Sequence, residues 1–194
     1  MIRSTRQVLN GMTGKYKSRI DTPTLRTSFY EAMNIVNSRP LTGVDINDPD
    51  EKIITPNHLL TMKNETTSAP PPDDFDDDDL YGRLRWKKAQ CFAQEFWLAW
   101  RQEYLSYLTK RQKWLNVRRN IAKGDVVILV DQDTPRGTWK TGIVDEVFEG
   151  TDKLVRRVMV RLANGNLDSA GRAMTKPATL ERPVQKLVVL VRSQ

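Results

Sequence analysis

One cysteine and one histidine in 194 residues leave little room for disulfide or metal chemistry. Cys91 has no partner for an intramolecular disulfide. Together with His58 it supplies only two of the nitrogen and sulfur ligands that a closed structural zinc site needs. Cys91 falls on a predicted helix and is expected to serve as a small core hydrophobe, while His58 in "TPNHLL" is expected to make a local hydrogen bond. No apolar run approaches the ~18 residues of a membrane span, and the opening "MIRSTRQVLNGMTGKYKSRI" lacks the apolar stretch of a secretory signal. These absences point to an intracellular protein, nuclear or cytoplasmic, with no membrane partner. The only dense carboxylates are Asp73, Asp74 and Asp76 to Asp79, behind Pro70 to Pro72. Nothing there would hold the geometry of general acid–base catalysis or of a calcium loop.

What is abundant is positive charge, unevenly spread. The net charge is +7, with residues 1–79 carrying −4 and residues 80–194 carrying +11. A basic half attracts polyanions, of which nucleic acid is the commonest, although solubility alone also explains such charge. The boundary is "KNETTSAPPPDDFDDDDLYG", a self-repelling segment that reads as a solvated linker serving as a spacer or touching the basic half when nucleic acid is absent.

Before the linker, Leu25, Phe29, Met33 and Val36 mark one stripe of a helix, with Thr22 or Thr24 as cap, Pro23 near its start and Pro40 beyond its end. Ile2, Val8 and Leu9 suggest an earlier helix broken near Gly11 and Gly14. Two helices make a poor core, so this half is expected to be the tail of a larger domain. After the linker, Phe92, Phe96, Trp100, Tyr104 and Leu108 recur every four residues, widened by Trp97 and Leu105. This predicts a long helix over residues 80–112 whose aromatics are packing residues. Its flanks carry Arg83, Arg85, Lys87 and Lys88 at one end, and Lys110, Arg111, Lys113, Arg118 and Arg119 at the other.

From Lys123 the hydrophobic period becomes alternating. "GDVVILV", "WKTGIVDEVF", "LVRRVMVRL" and "VQKLVVLV" predict strands, with Val158, Val160 and Leu162 facing inward and Arg157, Met159 and Arg161 outward. Asn164 and Gly165 signal a turn. Roughly five short strands over residues 122–192 suggest a small SH3-like β-barrel. Pro135 and Gly137 mark the first loop, which carries Arg136, Trp139 and Lys140. Trp139 either caps the barrel or stacks on a base or sugar while Arg136, Lys140, Arg156, Arg157 and Arg161 hold phosphates.

The ordered set "TLRTSFYEAMNIVNSRPLT", "ITPNHLL", "RWKKAQCFAQEFWLAWRQEYLSYLTKRQKW", "GDVVILVDQDTPRGTWKTGIVDEVFEGTDKLVRRVMVRLANG" and "RPVQKLVVL" resembles the C-terminal part of the integrase region of Bel/Pao-type retrotransposon polyproteins. The resemblance covers nearly the whole chain. It implies an α+β protein in which residues 1–45 are the closing helices of a ribonuclease H-like catalytic core. Residues 46–79 would then be an extended connection with the acidic linker, and residues 80–194 the integrase C-terminal domain. The resemblance also implies that the catalytic Asp, Asp and Glu lie upstream of Met1. Glu31 matches a helix position and not the catalytic acid. The chain itself would thus be non-catalytic and need no cofactor, while the parent integrase uses Mg2+. The implied partner is duplex DNA held by its backbone, with a homo-oligomer as integrases form. The nucleic-acid-binding candidates are Lys113, Arg118, Arg119, Arg136, Trp139, Lys140, Arg156, Arg157 and Arg161. A protein-interaction or chromatin-binding module stays open as the alternative, because SH3-like barrels also bind peptides through aromatic cages.

Overall fold

The structure, a computed structural model, describes residues 2–16, 20–41, 54–62, 85–115, 119–131, 134–162 and 178–193, without the side chains of 110–115. The acidic linker and the Asn164–Gly165 turn lie outside the described residues. The protein is α+β. Its helices are α1 (Ile2–Tyr16), α2 (Thr22–Asn37), α3 (Pro56–Thr61) and α4 (Arg85–Leu115), and its strands are β1 (Val126–Leu129), β2 (Thr141–Glu149), β3 (Val155–Leu162), β4 (Thr179–Pro183) and β5 (Leu187–Val191).

Two compact units result, and they do not follow chain order. One comprises Met1–Arg39, Pro56–Ser106 and Pro135–Thr138, and the other Pro40–Thr55, Tyr107–Thr134 and Trp139–Gln194. Most of α4 therefore belongs with α1 and α2, which departs from the expected grouping of residues 80–194. The reason is the aromatic stripe, which needs cover. Phe92, Phe96, Trp97 and Trp100 are fully buried and Tyr104 nearly so, as the four-residue spacing predicts. Phe96 and Trp100 stack at 6.4 Å and Trp100 and Tyr104 at 5.2 Å between ring centroids. Tyr16 of α1 meets Phe92 edge-on at 6.3 Å, and Trp100 Nε1 donates to Thr5 Oγ1 at 3.1 Å.

Three local expectations for the helices are corrected. Helix α1 runs unbroken through Gly11 and Gly14, where nothing lies within 4 Å of an added Cβ. The cap of α2 is Asp21, whose carboxylate accepts from Thr24 N, and not Thr22 or Thr24. Its buried face is Thr24, Ser28, Ala32 and Ile35, while Phe29 and Met33 of the predicted stripe are exposed. Small residues let α2 approach its neighbours closely, so packing followed backbone proximity instead of side-chain hydrophobicity. A further difference is α3, a helical turn within the connection expected to be extended.

The five strands form one antiparallel sheet in the order β4-β3-β2-β1-β5. The last strand returns to pair with the first, Leu129 opposite Leu187. This is a five-stranded sheet without ring closure, where a barrel was expected. Val158 and Val160 of β3 are fully buried and Arg157 is exposed, so the predicted alternation holds. Val127, Leu129, Val144, Val158, Val160 and Leu187 form the heart of the core. Strand β4 (TLERP) carries no alternating apolar pattern. It ends on Pro183, opposite Arg157, at the sheet's edge, where a residue without an N–H is tolerated.

Gly142 is demanded by its neighbours: a Cβ there would sit 2.5 Å from Arg161 O and 2.6 Å from a Val160 methyl. Gly142→Ala should lower stability by about 1–3 kcal/mol through overpacking. Gly11→Ala, in an open helical position, should raise it by about 0.5–1 kcal/mol. Urea unfolding of the two variants checks both signs.

Candidate nucleic-acid interface

The start and end of the sheet unit are joined at one buried carboxylate. Asp125 accepts from Arg119 Nη2 at 2.7 Å, Ala122 N at 3.0 Å, and Ser193 N at 2.9 Å and Oγ at 3.2 Å. Gly124 before it takes φ +88, and Ser193 Cβ lies 3.1 Å from where a Cβ on Gly124 would stand. Arg119 also donates to Ser193 O at 3.2 Å. One of the predicted phosphate contacts is thus also a structural cation, with its side chain 39% exposed.

Arg136, expected to face a phosphate, is buried. Within the helical unit it donates to Gln90 O at 3.3 Å and to Gln90 Oε1, and lies 3.5 Å from Glu31 Oε2. Burial lowers its pKa, and Glu31 opposes that shift. Its donors are directed to protein acceptors, so a solvent-side phosphate role does not fit its position. Gln90 Nε2 donates to Glu31 Oε1 at 3.0 Å, which completes the triad.

The other candidates in the sheet unit are exposed or half-buried, and each meets a carboxylate. Lys140 lies 2.9 Å from Asp131, Arg157 2.6 Å from Glu181, and Arg161 3.1 Å from Asp145, while Arg156 is bidentate to Asp152. Arg157 also lies over the Phe148 ring at 5.9 Å. Trp139 is half-buried. The side chain of Lys113 and the whole of Arg118 lie outside the described residues.

Cations that the sequence reading passed over are different. Among the described residues, Lys123, Lys153 and Arg192 have no carboxylate within 4.0 Å. Their backbone positions adjoin the segment around Asp125: Ser193 Oγ donates to Lys123 O at 3.0 Å, Asn120 Nδ2 donates to Lys153 O at 2.7 Å, and Arg192 precedes Ser193. A cleft of about 150 Å3 lies at this segment, lined among others by Ile121, Leu187 and Val189 and by Arg119, Asn120, Asp125 and Arg192. No sequence pattern marks this cluster, since its members are single charges in separate loops.

Cys91 is buried. Among the described residues no group of three His, Cys, Asp or Glu could hold a metal ion, and no helix is long and apolar enough to cross a membrane.

The fold and this cluster define a helix-plus-sheet protein with a cationic end on its sheet. The chain belongs to DUF5641, a family of unknown function, whose match spans residues 84–190, from α4 to β5. No curated protein and no solved structure matches it.

Asp131 is held below its ordinary value of 3.8 chiefly by the hydrogen bond from Lys140, with burial opposing. Its pair therefore contributes fully above the unfolded-state value and is lost as pH falls through the lower folded one. Lys140→Met should reduce stability by about 0.2–1 kcal/mol at pH near 6 and leave it unchanged once pH has fallen below the lowered folded-state value and both states are protonated. Thermal unfolding across that range measures the difference.

Proposed function

We propose that this chain is a non-catalytic segment of a retrotransposon integrase whose basic sheet unit binds duplex DNA through the phosphate backbone, with little choice of sequence. The observation that carries this reading is that Lys123, Lys153 and Arg192, whose backbone positions adjoin the segment around Asp125, have no carboxylate partner among the described residues. Unneutralised cations are what counterion release from DNA requires. Arg119 stands beside them as a further donor. Lys140, Arg156, Arg157 and Arg161 are secondary contacts, because exposed ion pairs cost only about 0–1 kcal/mol to open.

An SH3-like arrangement is supported by the strand order. The last strand returns to the first, β2 is long and bulged at Val144/Glu146 and Phe148/Glu149, and a single-turn 3-10 helix at Val184–Lys186 leads into β5. Origin of the helices at the end of a ribonuclease H-like core is supported by α2. Phe29, Tyr30 and Met33 are 37%, 58% and 58% exposed, as on a helix whose apolar face has lost its cover. The aromatic-cage alternative is disfavoured by Phe148, whose ring faces Arg157.

Fluorescence anisotropy of the full chain with labelled duplexes of unrelated sequence, across a salt series, tests the reading. It predicts equal affinities at a given salt and a linear fall of log affinity with log salt, at about −0.9 per phosphate neutralised. No binding at low salt would exclude it.

A further inference from the structure

The cleft beside Asp125 is more than a cationic surface. Its lining combines the branched aliphatic side chains of Ile121, Leu187 and Val189 with two guanidinium groups and an amide, from Arg119, Arg192 and Asn120, and with Asp125, whose carboxylate is already taken up by Arg119, Ala122 and Ser193. Aliphatic side chains beside guanidinium groups fit a ligand with a flat apolar body and an anion attached to it. Its volume of about 150 Å3 matches the space that one six-membered aromatic ring fills. Within a duplex the bases are stacked and out of reach, so only an unstacked base at a strand end or gap has such a ring to offer.

We propose that this cleft binds one unstacked, pyrimidine-sized nucleobase of a single-stranded DNA end, with the adjoining phosphates held by Arg192 and the free donors of Arg119. The proposal rests on the DNA-binding reading and adds a second mode to it. Lys123 and Lys153, at the same end of the sheet, hold the backbone of the neighbouring duplex. Aliphatic walls carry no hydrogen-bond code, so the base is accepted for its face and not for its identity. Asn120 and Arg192 supply donors for whichever acceptors the base presents.

The experiment compares full-length protein binding to a duplex with a short single-stranded thymine tail, the same duplex with an abasic tail of equal length, and the blunt duplex. The abasic tail matches the added phosphates, so any preference for thymine belongs to the base. The expected result is binding of the thymine tail roughly five-fold or more tighter than the abasic tail. Asn120→Trp, filling the cleft from an exposed position, should abolish that preference while still binding the blunt duplex, whereas Arg192→Gln should weaken binding of both tailed DNAs. Equal affinity for thymine and abasic tails overturns the cleft proposal and leaves the duplex reading intact. Absence of binding to all three DNAs overturns both. Thymidine monophosphate, added alone, should shift the Leu187 and Val189 methyl resonances. If instead only an acidic peptide with one apolar side chain shifted them, the cleft would belong to a protein partner and the proposal would fail.

Discussion

Asp125 is sealed from water, and a buried carboxylate must be surrounded by donors or it destabilises the fold. Its donors come from Arg119 and Ala122 on one side and from Ser193 on the other. Sixty-eight residues separate Asp125 from Ser193, so satisfying one charge fixes where the chain begins and ends its path through the sheet. That constraint sets β5 beside β1 and brings Arg192 next to Lys123 and Arg119. The cationic end and its cleft follow from this closure.

Charge pairing divides the remaining cations by role. Arg136 is internal to the helical unit and holds Gln90 and Glu31. Arg156, Arg157 and Arg161 brace hairpin and strands through nearby carboxylates, so at long range each pair contributes almost no net field. Lys123, Lys153 and Arg192 keep theirs. A positive field at one end of a rigid sheet suits an extended polyanion that needs no shaped pocket for most of its length. The cleft adds the one place where something smaller and flatter can enter.

Helix α4 was legible because large aromatics every four residues leave no other face for the core, and β3 because Val158, Val160 and Leu162 alternate with Arg157, Met159 and Arg161. The rest was hidden for physical reasons. The buried face of α2 consists of Thr24, Ser28, Ala32 and Ile35, and small residues chosen for close approach carry no hydrophobic signal. Strand β4 has no apolar run, being an edge strand half in solvent. The pairings of Arg157 with Glu181 and of Arg136 with Glu31 span 24 and 105 residues, so register and tertiary structure decide them. The unpaired cations could be found only by elimination, after the paired ones were known.

The most direct test is the salt slope of duplex binding for two triple variants of the full chain. Lys123→Gln, Lys153→Gln and Arg192→Gln together should flatten the slope by about 0.9 for each contact removed. Arg156→Gln, Arg157→Gln and Arg161→Gln together, which remove only secondary contacts, should flatten it less. The reverse outcome, a slope carried by the paired arginines and indifferent to the unpaired end, would contradict the account.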